Sequence, residues 1–448
     1  MQKHLTLTII FSLALSACSL TPRYLRPQMD IPEGWSAVPN STASSQSQEP
    51  PFWLAFKNDD LNHVMEVALA QNLDLQAALH RIEQARAQAK VAGAPLLPAL
   101  DATGGATQNY QESGNTARWQ GLATLSYELD LWGKNRNQAE AAKYRAQASE
   151  YDREALRLVV STDTAVLYAR VLGFDDRIGV AETNLRNAEE VLRIIEARYR
   201  EGSVSALEVS QQKVAVNNIR AALISLIEQR TATLNALAIL LAQAPQDFKA
   251  PQTTLSALQI PEVSLTSPAL LLTERPDLQS AEAGLRAANA DIGAARAAFF
   301  PSLQLGTDAS LVAAGFSNPA TAGLSLASNV LAPIFSGGRL EGNLENVSAR
   351  QKELAAQYQQ TVLTAFREVE DALAARKRTD QQAVLSHQSV QEARNAYTIA
   401  KARFDAGSID YLTVLETQRS LSQAEDEQIV VTVAQVEAFV QLRKALGS

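Results

Sequence analysis

The longest periodic pattern of apolar residues lies between Val160 and Tyr199. Two sets of apolar positions each recur every seven residues, four positions apart, which is the 3-4 spacing of a coiled-coil helix. The pattern predicts one helix from about Asn135 to Arg200, on the order of 100 Å long at 1.5 Å per residue. A helix of that length needs partners of similar length. An ordinary helical bundle would explain the heptads but not the length. The two sets are Val160, Leu167, Phe174, Ala181, Ala188 and Ile195, and Val171, Ile178, Leu185, Leu192 and Tyr199.

Two segments with alternating apolar and polar residues interrupt the helical pattern and predict β-hairpins. The first covers about 99–131, with its turn at 112–115 and its second strand starting near Arg118. The second pairs Ser302–Val312 with Leu324–Ile334 across 315–323. Each strand has the length that a tilted strand needs to cross a bilayer. A soluble two-layer sheet is the alternative interpretation.

The two halves of the chain resemble each other. Ala197–Val209 aligns with Ala402–Val414, 205 residues further on, and Leu75–Leu100 aligns with Leu278–Leu303 at an offset of 203. Each half therefore reads helix, hairpin, long helix, Gly-Ser turn and helix, which predicts two tandem repeats. Four strands per chain are too few to close a membrane barrel, because the smallest such barrels use about eight. If the hairpins enter a membrane, several copies must pool them.

The first residues predict export. Lys3 precedes an apolar run, Leu5–Leu15, which has the length of a signal peptide core and is too short to span a bilayer. The following Leu15–Cys18 resembles the lipobox of bacterial lipoproteins, which implies cleavage before Cys18 and an N-acyl and S-diacylglycerol modification of that residue. Ser19 in place of Asp favours delivery to the outer membrane by the same resemblance. The alternative is an ordinary signal peptidase site with an incidental cysteine.

Composition and motifs argue against several classes of function and site. The 448 residues carry 40 Lys+Arg against 48 Asp+Glu, a net charge of −8, which disfavours a nucleic-acid partner. One cysteine excludes an intrachain disulfide, and with only four scattered histidines a zinc site is not expected. The sequence shows no nucleophile beside a base and no glycine-rich phosphate loop, so neither catalytic residues nor a cofactor are expected. The predicted segments are an export signal at 1–17, an acylated tether at 18–57, and the two repeats at 58–256 and 257–448.

Residues in three parts of the chain carry a family resemblance: Glu128–Gly133, a set between Arg275 and Ser302, and Tyr411–Glu416. The middle set consists of Arg275–Leu278, Ala281–Glu282, Ala288–Ala290, Ile292–Ala297 and Phe299–Ser302. Together they resemble the TolC-like outer membrane efflux proteins of the lipoprotein type, and the likeness runs in order from about Pro22 to Leu446. It implies a homotrimer whose twelve strands form one outer-membrane barrel in contact with outer-membrane lipid, with long helices forming a periplasmic α-barrel. It also implies a passive exit duct that serves an inner-membrane pump through a periplasmic adaptor.

The Gly-Ser turns after the long helices are the candidate adaptor contacts. The resemblance places Gly202, Ser203, Gly407 and Ser408 at the periplasmic tips. The glycines also have a purely structural explanation, because glycine adopts the positive φ that ends many helices.

The resemblance also implies a periplasmic constriction near the start of the last helix. Leu412 and Glu416 would form an apolar and an acidic ring under threefold symmetry, with Asp410 and Thr413 as neighbouring candidates because the acidic position varies in the family. Asp410 could instead be a solvated charge.

In the hairpins, the strand alternation and the resemblance together predict four lipid-facing side chains. These are Trp119, Leu125, Tyr127 and Leu129.

A lipid-anchored periplasmic adaptor, or another coiled-coil protein of an export complex, is the second candidate function. An adaptor is also built on a helical hairpin, but it would show one hairpin flanked by lipoyl-like strands. Here the helices dominate and occur twice. The cargo stays open, although only three methionines disfavour a dedicated path for soft metal ions.

Overall fold

The computed structural model describes residues 20–36, 50–110, 116–262, 267–314 and 319–447. Over these residues the chain forms eight α-helices and four β-strands, with three short 3-10 turns. None of the described helices combines the length and the apolar character needed to cross a membrane. The helices are α1 (Asp59–Gln71), α2 (Leu73–Gly93), α3 (Lys134–Arg200), α4 (Ala206–Leu240), α5 (Pro268–Glu274), α6 (Pro276–Ala297), α7 (Arg339–Asp405) and α8 (Tyr411–Leu446). The strands are β1 (Ala99–Asn109), β2 (Thr116–Leu129), β3 (Ser302–Ala314) and β4 (Thr321–Leu331).

The helix predicted from the heptads is α3, a single helix of 67 residues. Its counterpart α7 also has 67 residues, and the helices that follow them, α4 and α8, have 35 and 36. The order helix, hairpin, long helix, turn and helix therefore occurs twice along the chain.

The four strands form one antiparallel sheet in the order β1-β2-β3-β4. Both predicted hairpins are present, but the predicted boundaries of the second are wrong. Gly323, expected in the turn, lies opposite Ser310 and belongs to β4. Ile334 lies outside β4, since the strand ends before Pro333, which has no N–H to donate to a ladder.

The first hairpin also differs from its predicted bounds, at the start and the end of its second strand. Strand β2 begins at Thr116 and ends at Leu129, because the amide of Leu131 turns back to the carbonyl of Leu129 at 2.9 Å. The turn predicted at 112–115 lies outside the described residues.

The chain divides into two compact units, and each sequence half contributes to both. The first unit contains the sheet and α2 with its counterpart α6. The second contains α1 and the helical turns. Among the described residues, the first unit holds those within 1–29, 78–152 and 277–361, and the second holds those within 30–77, 153–276 and 362–448.

In the first unit the N-terminal segment lies along α6. Arg26 forms an ion pair with Glu282, and the Asn289 amide donates to the carbonyl of Pro22 at 2.7 Å. Gly293 allows this close approach, because a Cβ there would overlap the Thr21 hydroxyl. Specific contacts thus hold residues 21–26 of the predicted tether against α6.

The second unit has an aromatic core at the start of α1. Phe56 is fully buried and packs edge-on against Phe439, with the ring centroids 5.1 Å apart. Asn58 caps α1 by accepting from the Leu61 amide at 2.8 Å and also accepts from the Tyr168 hydroxyl at 3.1 Å. One side chain therefore starts a helix and joins it to the long helix α3.

Helices α3 and α8 approach closely at Gly173, and this contact can be tested. A Cβ at Gly173 would overlap a methyl of Val433, whose branched side chain has little freedom to move. We expect Gly173→Ala to destabilise the protein by about 1–3 kcal/mol, measured by thermal unfolding followed by circular dichroism in detergent.

Gly179→Ala, in the same helix, is the matched control. A Cβ at Gly179 meets nothing within 4 Å, so its replacement should stabilise the helix by up to about 1 kcal/mol. Val433→Ala should rescue Gly173→Ala. Equal melting temperatures for the two glycine variants would contradict the predicted close contact.

Candidate channel surfaces: the sheet and the helical turns

The strand register separates the sheet into an apolar and a polar face. Leu125 lies opposite Leu100 and Tyr127 lies opposite Leu305, so the four strands align their apolar positions on one side. The predicted lipid-facing residues Trp119, Leu125, Tyr127 and Leu129 all lie on this face. It also carries Leu100, Ala102, Leu303, Leu305, Ala309, Leu311, Leu324, Leu326 and Val330.

This apolar face is exposed in the single chain. Leu324 and Leu326 are 76% and 84% exposed, and Trp119 is 42% exposed. A contiguous apolar surface of this kind marks contact with lipid or with another protein. The opposite face carries mainly polar side chains, among them Asp101, Gln120, Thr124, Glu128, Gln304, Asp308 and Asn329.

Both outer edges of the sheet are open within the described part of the chain. Strands β1 and β4 each pair on one side only, and every residue of both strands is exposed. Their outer N–H and C=O groups need partners, most of all in hydrocarbon, where water cannot supply them.

The segment after β2 joins the sheet to α3 through a compact set of contacts. The Trp132 indole stacks on Phe300 with centroids 4.8 Å apart and donates to the carbonyl of Pro301 at 2.7 Å. Asp130 caps α3, accepting from the backbone amide of Arg136 at 2.8 Å. The sequence pattern indicated these residues only as part of a family resemblance. The packing role of Trp132 depends on contacts with a segment about 170 positions away.

The four predicted tip residues lie in the two turns that end the long helices. Gly202 and Gly407 have φ of 75° and 72°, a region that L-residues rarely adopt. The Ser203 amide donates to the carbonyl of Arg198 and the Ser408 amide to that of Arg403, each at 2.9 Å. These bonds and positive φ values define Schellman-type helix ends.

A buried cluster of side chains lies beneath the two turns. Ile195 and Phe404 belong to it, and the Arg198 guanidinium lies 4.5 Å from the centroid of the Phe404 ring. Fully buried Gln212 donates to the carbonyl of Ala188 at 2.7 Å and accepts from the Tyr411 hydroxyl.

Burial raises the pKa of the Tyr411 phenol. The hydroxyl therefore stays protonated at physiological pH and remains a donor to Gln212. Sequence reasoning missed this pair. A single glutamine between other polar residues, Gln211 and Lys213, gives no sign of burial.

The predicted constriction residues divide into two groups. Leu412, 45% exposed, and Glu416, also exposed, lie one turn apart on the same side of α8. Asp410 is the N-cap of α8 and accepts from both the amide and the hydroxyl of Thr413, at 3.1 and 2.6 Å. The two polar residues begin the helix, while Leu412 and Glu416 point into solvent from its first turns.

The described residues contain no group of three or more His, Cys, Asp or Glu side chains that could hold a metal ion. Cys18, the predicted acylation site, lies outside the described residues.

Comparison with known proteins agrees with this architecture. A sequence profile described as "Outer membrane efflux protein" matches residues 64–243 and 268–448. The pyoverdine export outer membrane protein OpmQ of Pseudomonas aeruginosa is 37% identical over 465 residues, covering 100% of this chain and 97% of OpmQ. The chain belongs to the outer membrane efflux protein family.

Solved structures of channels have the same fold. The CmeC outer membrane channel of Campylobacter jejuni superposes with a TM-score of 0.88 at 26% identity, covering 96% of this chain and 95% of CmeC. The CusC structure gives a TM-score of 0.85 at 28% identity, covering 96% of this chain and 100% of CusC. The cation efflux system protein CusC of Escherichia coli is also a sequence relative, 30% identical over 97% of each chain.

These findings confirm the predicted family, the fold class and the role in efflux. The chain is an outer membrane efflux protein of the class that combines long α-barrel helices with outer-membrane β-strands. Neither a soluble sandwich nor a periplasmic adaptor fits that class.

The cap at Asp410 makes a pH-dependent prediction. Its hydrogen bonds from the Thr413 hydroxyl and amide lower the pKa of the Asp410 carboxyl below its ordinary value of 3.8. A lowered pKa means that the contribution to stability is present at neutral pH and is lost as the pH falls through the folded-state pKa.

We therefore expect Asp410→Ala to reduce hydrogen-exchange protection of peptides covering 410–418 at neutral pH. Asp410→Asn keeps an acceptor oxygen and is the control. It should retain most of the protection and lose its pH dependence below about pH 4. Identical protection in all three proteins would contradict the capping role.

Proposed function

We propose that this protein is a passive exit duct that assembles as a homotrimer in the outer membrane. Three chains with four strands each would close one twelve-stranded barrel, and their long helices would form the periplasmic tunnel. The observation that carries the proposal is the sheet itself, because its apolar face is exposed and no other described residue pairs with either of its edges. Strands from other copies satisfy the edges, and lipid covers the face.

The helices support an assembly in the same way. Leu207 and Val214 are 65% and 55% exposed on α4, seven residues apart, and Ile224 is 68% exposed. On α7, Val384 and Leu385 are 60% and 62% exposed. Apolar residues that are left exposed on long helices are suited to pack against the helices of a neighbouring copy.

The turns at Gly202–Ser203 and Gly407–Ser408 are the proposed contacts of a periplasmic adaptor, which in turn connects to an inner-membrane pump. Both turns are exposed, and a Cβ on either glycine would meet nothing within 4 Å. The free surface around these tips supports a docking role.

The same end of α8 carries the proposed constriction. Under threefold symmetry three copies of Leu412 would form an apolar ring and three of Glu416 an acidic ring, while Asp410 and Thr413 hold the start of the helix. An acidic ring in a narrow aqueous path favours cations over anions.

The cargo does not follow from the relatives. The name of OpmQ indicates pyoverdine export and that of CusC indicates cation efflux. An adaptor and pump that deliver cargo to a passive duct can account for such different cargoes on one fold. The proposed partners are lipid and other proteins. A nucleic-acid partner is not proposed, because the net charge is −8.

The N-terminus is the proposed lipid anchor, with acylation of Cys18 after removal of 1–17. The chain has a single cysteine, and it lies at the end of the export signal. Leu20, Pro22 and Arg26 contact α6, which supports an anchor held near the sheet-bearing unit.

Ion selectivity of the purified protein in planar bilayers tests the duct and its acidic ring together. We expect a channel whose cation-to-anion permeability ratio falls in Glu416→Gln. The effect should be larger at 0.1 M than at 1 M salt, because the Debye length shortens from about 10 Å to about 3 Å.

Glu392→Gln, an exposed glutamate on α7, is the matched control and should leave the reversal potential unchanged. No conductance from the unsubstituted protein would overturn the duct. Conductance with identical reversal potentials in Glu416→Gln would overturn only the ring.

Metabolic labelling tests the anchor. Cells given a radiolabelled or alkyne-tagged palmitate should label this protein, and Cys18→Ser should abolish the label. Ser19→Ala serves as the control for changes near the cleavage site. Persistent label in Cys18→Ser would place the lipid elsewhere or identify the signal as noncovalent.

A further inference from the structure

The strands of the second hairpin follow those of the first at nearly constant offsets in the sequence. Strand β3 begins 203 residues after β1 (Ala99 to Ser302), and β4 begins 205 residues after β2 (Thr116 to Thr321). Ala99 pairs with Ser126, and the residues at these two offsets, Ser302 and Leu331, also pair with each other. The two hairpins therefore have the same register.

The same offset continues into the helices. Helix α7 begins and ends 205 residues after α3, at Arg339 and Asp405. Gly133 and Gly338, which precede the two helices at this offset, have φ of 78° and 82°. The equivalence therefore extends beyond the sheet to the way each hairpin enters its long helix.

The β2–β3 pairing shows how one hairpin joins the next. In it Leu125 lies opposite Thr307, and Thr124 lies opposite Asp308. Each β2 residue corresponds to the β4 residue 205 positions later, and each β3 residue corresponds to the β1 residue 203 positions earlier. Replacing both residues of a β2–β3 pair by their equivalents gives a pair between β4 and β1. Strand β1 of the same chain is at the far edge of the sheet, so the β1 in question belongs to another copy.

We propose that β4 of one copy pairs antiparallel with β1 of the next in a defined register, with Val330 opposite Gly104 and Asn329 opposite Gly105. This register rests on the proposed trimer and specifies the contact that closes it. The partner is a second copy of this chain, because the junction repeats a pairing that the chain already makes with itself.

The sidedness of the sheet agrees with this register. Gly104 lies opposite Gly121, on the face of Trp119, and Val330 lies opposite Leu303 on that same face. The proposed pairing therefore continues the apolar face from one copy to the next. A slip of one residue would put apolar side chains on the polar face, so only slips of two or more residues compete.

The register also accounts for apolar residues that the chain leaves exposed beside the sheet. Ile334 is 93% exposed and corresponds to Leu129, which lies opposite Leu303 in the internal junction. The proposed register places Ile334 beside Leu100 of the next copy, itself 72% exposed. The register therefore gives each of these two apolar side chains an apolar neighbour across the junction.

One contact of the internal junction is not repeated. Trp132 stacks on Phe300, but the residues at the same offsets are Gly337 and Leu97. The junction between copies therefore lacks the aromatic stack. Leu97 and Phe335, 69% and 90% exposed, are the apolar side chains available there.

Cysteine pairs test the register directly. Opposite residues in antiparallel strands have Cα atoms about 4.5–5.5 Å apart, within the range of a disulfide. We expect Gly104→Cys with Val330→Cys, and separately Gly105→Cys with Asn329→Cys, to shift the purified protein from the monomer band to dimer and trimer bands on oxidation. A Cβ at Gly104 meets nothing in its own chain, so this substitution is tolerated sterically.

Three controls make the outcome decisive. Leu125→Cys with Thr307→Cys is the equivalent internal pair and should oxidise without changing the size of the band. The unsubstituted chain, whose single cysteine is Cys18, gives the background. The slipped pairs join Gly104→Cys with Ser328→Cys or with Ala332→Cys, and they should cross-link least.

Two other outcomes would overturn the register. Measuring the native mass of the particle shows whether the proposed trimer fails as well. Preferential cross-linking of a slipped pair in a trimeric particle would overturn the register alone. A monomeric particle without cross-links, in which the internal pair still oxidises, would overturn both the register and the proposed assembly.

Discussion

The main physical constraint on this fold is the row of backbone groups left unpaired at each outer edge of its sheet. Strands β1 and β4 each present a row of N–H and C=O groups with no partner in the described part of the chain, beside an exposed apolar face. In hydrocarbon each unpaired group costs several kcal/mol. The exposed apolar face and the open edges lie in the same sheet, which is why the proposed assembly links contact with lipid to pairing between copies.

The helical unit meets a different constraint. Each 67-residue helix leaves its last four carbonyl groups without partners inside the helix, so its end needs local hydrogen bonds. Positive φ glycines end them, side-chain caps begin the next helices, and buried Gln212 with Tyr411 joins the two turns. This arrangement holds Leu412 and Glu416 on an exposed surface whose backbone is fixed. This is the surface on which the proposed constriction rests.

Prediction from the sequence succeeded where a pattern is local and periodic. The heptads from Val160 to Tyr199 predicted α3 almost to its ends, and alternation identified all four strands. It was wrong about β4, because alternation in the sequence continues past the point at which Pro333 interrupts the ladder. Trp132, Asn58 and Gln212 were missed as structural residues because their partners lie tens to hundreds of positions away.

The sequence alone determined which segments are helices and strands, which side of each strand is apolar, and that four strands cannot close by themselves. These properties depend on the spacing of side chains along one segment. Tertiary structure alone decided the register that aligns the four apolar faces, the burial of Gln212 against Tyr411, and the role of Asp410 as a helix cap. The register and the Gln212–Tyr411 hydrogen bond need residues that are distant in sequence to be brought together. The Asp410 cap needs the backbone at the start of α8 to be folded.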